Sequence, residues 1–132
     1  MSQNSPQPLY LLRITDDFSS SHQLRHYHGK CEELHGHNFL VRVEIAGSRL
    51  DEKTGILMDF KELKKNVKTV LQNLDHRHLN DLEPFAQENP SSENLAKYIY
   101  TQLKSLLSDY PVQLKEVSVA EKESSEAIYR EV

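Results

Sequence analysis

The chain has 132 residues, 27% of them charged, and a formal net charge of −4. That length suits one domain able to bury a core of its own, and the acidic balance excludes the basic footprint by which proteins hold phosphate backbones. No apolar run approaches the roughly 20 residues of a membrane helix and a single cysteine cannot form an internal disulfide, so a cytoplasmic, reducing setting is expected, with no nucleic acid and no membrane as partner.

Met1 to Pro8 is polar, lacks Lys and Arg, and carries two prolines. It reads as a frayed tail and not as a signal peptide, which leaves 9–132 as a single domain. Leu9 to Phe18 is rich in strand formers, with Tyr10, Leu12 and Ile14 on one side, and is predicted to be the first strand. From Asn38 to Ala46 the alternation is cleaner: Phe39, Val41, Val43 and Ile45 share one face. Gly47 to Gly55 reads as a turn. Asp59 is a suitable N-cap for a helix whose stripe is Phe60, Leu63, Val67, Val70, Leu71 and Leu74. Its lysines, Lys61, Lys64, Lys65 and Lys68, read as a solvated face.

Asp75 to Pro90 is predicted to be a loop, and Ser91 or Ser92 to cap a second helix with Leu95, Ile99, Leu103, Leu106 and Leu107 inward. Strands at Leu114–Lys122 and Glu126–Val132 complete a β-β-α-α-β-β order. The expected fold is α+β: a four-stranded, mainly antiparallel sheet with both helices on one face.

Three imidazoles and the only thiol fall within sixteen residues: His22, Cys31, His35 and His37. Residues two apart on a strand point to one face, so His35 and His37 are able to aim at one ion across Gly36, with His22 as the third nitrogen ligand. Three protein ligands leave a fourth tetrahedral position open, the mark of a catalytic zinc site. His35 and His37 share the parity of Phe39 and Val41, which would shield both rings and keep them neutral. Cys31, beside two ligands, reads as nucleophile, base or fourth ligand. The other histidines, His26, His28 and His78, read as exposed or structural. Glu121 shares parity with Val117 and Val119, so a carboxylate follows them to the same side and needs a partner. A guanidine-like ligand face would supply one.

Phe18-Ser-Ser-Ser-His22, Cys31-x-x-x-His35-Gly-His37-Asn38, Met58-Asp59-Phe60, Leu74-Asp75-His76, Ser92-Glu93-Asn94 and Glu121 together resemble the 6-pyruvoyltetrahydropterin synthase family. The three residues between the cysteine and His-Gly-His are similar to the bacterial 6-carboxy-5,6,7,8-tetrahydropterin synthase branch of 7-deazaguanine (queuosine) biosynthesis; the animal biopterin enzymes have a longer insertion there. The resemblance implies a tunnelling fold, protomers joined by their sheets into a trimeric barrel, two barrels stacked as a hexamer, and sites between subunits. It implies a zinc-dependent lyase converting 7,8-dihydroneopterin triphosphate to 6-carboxytetrahydropterin with loss of acetaldehyde and triphosphate. By carry-over, His22, His35 and His37 bind zinc, Cys31 is the general base, Asp75 and His76 form a proton relay, and Glu121 and Glu93 hold the pterin.

The residues support that chemistry on their own terms. A zinc ion polarises coordinated hydroxyls, Lys30 beside Cys31 favours the thiolate, and a carboxylate such as Asp75 orients His76 for proton transfer. Arg25, His26, His28 and Lys30 are candidates for triphosphate contacts. Two departures from the family pattern are Lys122 where threonine usually follows the pterin-binding glutamate, and Ser91-Ser92 where Pro-Thr is common. Two other functions remain open at this point: a 6-pyruvoyltetrahydropterin synthase that eliminates triphosphate without cleaving the side chain, and a non-catalytic zinc or pterin-binding oligomer with Cys31 as fourth ligand.

Overall fold

The computed structural model describes residues 5–29 and 33–132. Four strands form one sheet in sequence order: β1 (Tyr10–His22), β2 (His35–Gly47), β3 (Gln113–Lys122) and β4 (Ser125–Tyr129). Every neighbouring pair is antiparallel. Two helices, α1 (Phe60–Leu71) and α2 (Ser92–Leu106), lie between β2 and β3 in the chain. The expected element order and antiparallel sheet are therefore observed.

Pairing of β1 with β2 sets Ile14 opposite Val43, Phe18 opposite Phe39 and His22 opposite His35. Directly opposed residues share a face, and Val41 and Val43 in turn face Val119 and Val117 on β3. This face is the core: its side chains cluster with Leu63, Val67 and Val70 of α1 and Leu95, Ile99 and Leu103 of α2. The opposite face is charged, with Arg13 on Glu44 at 2.6 Å, Arg42 on Glu126 at 2.7 Å and Arg130 on Glu116 at 2.7 Å. Both helices thus pack on one face, as the alternation requires.

Local chemistry fixes the helix starts. The Asp59 carboxylate accepts the Lys61 N–H at 2.8 Å, and the Ser91 hydroxyl accepts the Asn94 N–H at 3.1 Å, each satisfying a donor that the first turn leaves orphaned. α1 ends at Leu71, three residues before the stripe predicts. The chain tightens there through Asn73 N–H to Val70 O and Leu74 N–H to Leu71 O, which still buries Leu74 completely. Phe60 and Leu106, both expected to face inward, are exposed. Phe60 sits in the first turn, beside Tyr10, Leu11 and Ile56 at the margin of the sheet; Leu106 is in the last turn of α2, where Leu107 takes the inward place.

β1 runs four residues past its predicted end, through Ser19-Ser-Ser to His22. Serines have little intrinsic preference for strands; pairing with His35–Asn38 holds them extended. β4 is shorter than expected and ends at Tyr129. The 75–90 loop contains two short 3₁₀ turns, Leu79–Asp81 and Glu83–Phe85, each burying one apolar side chain, Leu79 and Phe85. Among the described residues no helix is long and apolar enough to cross a membrane. Leu103 is fully buried between α2 and the sheet, so Leu103→Ala should lower the unfolding free energy by about 2–5 kcal/mol, measured by urea titration, without altering the charged face.

Candidate active site

At one end of the core face the side chains change from apolar to imidazole. Phe18 stacks on Phe39, with ring centroids 4.9 Å apart, and Phe39 is the floor for His22 at 5.1 Å and His37 at 5.9 Å. His35 lies 4.4 Å from His22 and 4.8 Å from His37 between centroids. Glu121, two residues beyond Val119, enters the same cluster. One donor atom from each of His22, His35, His37 and Glu121 lies within 4.8 Å of all the others, a set able to hold a metal ion. The parity argument for both rings of β2 and for Glu121 is met.

The tautomers follow from the neighbours. His22 Nδ1 is 2.7 Å from the Pro90 carbonyl oxygen and His35 Nδ1 is 2.8 Å from that of Glu33. A carbonyl only accepts, so both nitrogens carry their protons and leave Nε2 with a lone pair for a ligand. Burial pushes the His22 pKa down, against the Pro90 carbonyl and the Glu121 charge that pull it up, and keeps this ring neutral.

His22 Nε2 is buried and makes no hydrogen bond among the described residues, yet it faces Glu121 Oε1 at 3.0 Å. Glu121 Oε2 is 3.2 Å from His37 Nε2. A lone pair and a carboxylate oxygen at that separation repel unless a cation lies between them. Donors around a tetrahedral ion with bonds of about 2.1 Å stand roughly 3.4 Å apart, close to both of these distances. The donor set therefore fits a divalent metal such as zinc.

The Asp75-His76 pair sits beyond α1, against the outer edge of β1. Asp75 Oδ1 accepts the Ser19 N–H at 2.9 Å, and Oδ2 is 2.9 Å from His76 Nδ1. The Ser19 N–H first, and His76 after it, hold the Asp75 carboxyl below the ordinary aspartate range. His76 takes a left-handed backbone, φ 56°, and its side chain is 82% exposed. It lies outside the four-donor cluster but lines one open groove with His37, Ser19, Ser21 and Asn38.

Other sequence candidates are placed differently. Cys31 and Lys30 lie outside the described residues. Glu93 is exposed in the first turn of α2, outside the cluster. Arg25, a candidate for triphosphate, directs its guanidinium to the carbonyls of Phe85 at 2.9 Å and Glu88 at 3.3 Å, contacts that tie loops together and leave its charge in place. His26 and His28 are exposed, with φ of 66° and 59°. Sequence reasoning missed the Pro90 carbonyl, which has no side-chain signal, and Glu121 as a neighbour of the histidines, for which its parity with Val119 was the available clue.

The depressed pKa of Asp75 gives a signed expectation. A carboxylate held below its unfolded value contributes stability above that value and loses it as pH falls through the folded value. Asp75→Ala should therefore lower the melting temperature at neutral pH, and the gap to wild type should close only below about pH 4, followed by circular dichroism across an acid series.

The 6-pyruvoyl tetrahydropterin synthase family matches residues 11–132. The 6-carboxy-5,6,7,8-tetrahydropterin synthase of Synechocystis is 43% identical over 91 residues, 66% of this chain and 69% of that protein. The 6-pyruvoyl tetrahydrobiopterin synthase of Drosophila melanogaster is 34% identical over 140 aligned residues, 96% of this chain and 82% of that one. In three dimensions, the 6-pyruvoyl tetrahydropterin synthase of Caenorhabditis elegans superposes with a TM-score of 0.85 at 32% identity, covering 96% of this chain and 98% of its own. Family match, fold and the placement of the histidines on adjacent strands agree: the chain belongs to the 6-pyruvoyl tetrahydropterin synthase family.

Proposed function

We propose that the chain is a zinc-dependent lyase converting 7,8-dihydroneopterin triphosphate to 6-carboxy-5,6,7,8-tetrahydropterin, with release of acetaldehyde and triphosphate, in queuosine biosynthesis. The observation that carries this reading is the convergence of His22, His35, His37 and Glu121 within 4.8 Å, with Cys31 four residues before His35 in the sequence. The 43% identity to the Synechocystis enzyme supports the 6-carboxy branch.

His22, His35 and His37 would hold zinc, which when bound supplies a Lewis acid that lowers the pKa of a side-chain hydroxyl. Cys31 takes the substrate proton as thiolate, the form favoured beside Lys30. His76 serves as the second proton-transfer group. Its Nδ1 is held by Asp75 at 2.9 Å, which leaves Nε2 to give or receive the proton. Glu121, which faces His22 and His37 in the single chain, would turn from the metal position to the substrate and anchor the pterin through paired N–H contacts, with Glu93 as a further substrate contact. Because Glu121 adjoins His22 and His37, a pterin held there has its side chain beside the metal ligands.

The open margins of the sheet support assembly as a homo-oligomer, a hexamer of two trimers. The start of β1 exposes Leu9, Tyr10 and Leu11, near Ile56 and Phe60, and β4 exposes Ile128 at the other margin. His76, 82% exposed in the single chain, is available to a site completed by a neighbouring protomer.

A second reading, 6-pyruvoyltetrahydropterin synthesis without side-chain cleavage, has the Drosophila relative in its favour. Product analysis decides between them. Purified protein with measured zinc, incubated with dihydroneopterin triphosphate, should release acetaldehyde in step with triphosphate; triphosphate without acetaldehyde would establish the second reading. Cys31→Ala should keep its zinc while turnover falls by about 10²–10⁴-fold. Loss of the metal from that variant would instead make the thiol a structural ligand and remove the case for catalysis.

A further inference from the structure

The outer edge of β1 near the site is sealed by an arrangement that secondary structure alone does not reveal. In an antiparallel strand each residue turns its N–H and C=O to the same side, and the next residue turns both the other way. Ser19 and Ser21 present theirs away from β2, and past the strand end Gln23 and Arg25 turn theirs to the same flank. All four are met by the 75–89 segment. Ser19 donates to Asp75 Oδ1 at 2.9 Å and accepts from His76 N at 2.6 Å. Ser21 donates to Arg77 O at 3.0 Å.

Beyond His22 the chain has left the sheet, and side chains take over. Asn80 accepts the Gln23 N–H and donates to the Gln23 carbonyl, both at 2.9 Å. Asn89 does the same for Arg25 at 2.9 and 2.8 Å. A carboxamide carries acceptor and donor side by side, so it meets the N–H and C=O of one residue as another peptide would. An aspartate in either place would set an oxygen against a carbonyl.

Both asparagines are themselves anchored. Asn80 lies in the Leu79–Asp81 turn, fastened by the fully buried Leu79. The Asn89 carbonyl accepts the Asn94 carboxamide N–H in the first turn of α2 at 2.8 Å, and the next residue, Pro90, holds His22 Nδ1.

We infer that Asn80 and Asn89 are positioning residues for the metal centre: their carboxamides stand in for a missing strand, fix the segment that follows His22, and so set the aim of its imidazole. This rests on the proposed role of His22 as a ligand. With Ser21 latched on one side and Gln23 and Arg25 on the other, the backbone at residue 22 is held from both directions. Pro90 then orients the ring from the same element that clamps Arg25. The loop carrying Asp75 and His76 is continuous with this clamp, so relay and ligand share one register.

The test uses the whole chain, wild type and Asn80→Ala, Asn89→Ala and Asn66→Ala. The last removes a comparable side-chain hydrogen bond, to Glu62 O on α1 at 2.8 Å, away from the site. Titration with cobalt(II), followed by its visible absorption, should show binding weakened on the order of tenfold in the first two variants and unchanged in Asn66→Ala, the size expected when the support of a ligating imidazole is lost. In metal-free protein the His22 Nδ1–H resonance should shift or vanish in the same two variants only. If both bind cobalt as wild type does and keep that resonance, the inference is overturned. Should the alanine variants not fold, Asn80→Asp and Asn89→Asp retain the acceptor for the backbone N–H and decide by the same readouts. A wild-type chain that binds no cobalt would defeat the metal reading itself, while the imidazole resonance still shows whether the carboxamides set the ring.

Discussion

The register between β1 and β2 is the constraint on which the site depends. It places His22 opposite His35 and Ser20 opposite His37, and it is set by the same pairing that puts Phe18 on Phe39 and Ile14 opposite Val43. A slip of one residue would move the whole apolar set of β1 to the charged face, so the core resists it strongly. Apolar packing along a strand thus fixes the position of the polar groups at its end, and the candidate metal donors inherit a precision that histidines alone could not impose.

That arrangement is unfavourable for the fold taken by itself. His22 is fully buried, and its Nε2 makes no hydrogen bond; a buried polar atom without a partner typically costs about 1–3 kcal/mol. Glu121 adds a partly buried carboxylate facing two imidazoles. Nothing in the packing of the sheet requires these groups, since Val117 and Val119 fill equivalent places lower on the same face without polarity. A cation held by the three imidazoles would reverse the sign of that repulsion and couple strongly a corner of the core that is poorly satisfied among the described residues.

Much of this was legible in the sequence because period and parity are local properties. The alternation from Phe39 to Ile45 gave the buried face of β2, and parity extended it correctly to His35 and His37. Asp59, and the pair Ser91 or Ser92, marked the helix starts, and the structure selects Ser91 for the second. What escaped was decided by tertiary contact. The serines at 19–21 carry no strand signal and are extended only because β2 and the 75–77 segment flank them. Leu74 lies outside its helix yet remains buried, since a tightened turn brings it to the core by another route. The loop-tying role of Arg25 depends on the carbonyls of Phe85 and Glu88, 60 and 63 residues away in the chain, and has no signal in its own neighbourhood. The ligand geometry of Glu121 needed the third strand to be placed beside the second, which no spacing in the chain specifies.

The outer edge of β1 carries two different solutions to one problem. An unpaired strand edge invites association with other chains unless something covers it. From Ser19 onward the protein covers it with its own loop, first through Asp75 and the backbone of 76–77 and then through the carboxamides of Asn80 and Asn89. From Tyr10 to Phe18 no such segment runs alongside among the described residues, and the exposed side chains Leu9, Tyr10 and Leu11 cluster there. The strand is thereby divided into a half closed within the protomer, where the ligand must be aimed, and a half left open, where a second chain has room to pair. Keeping the two apart means that contact with a neighbour at the open half would not compete with the hydrogen bonds that hold the segment around His22.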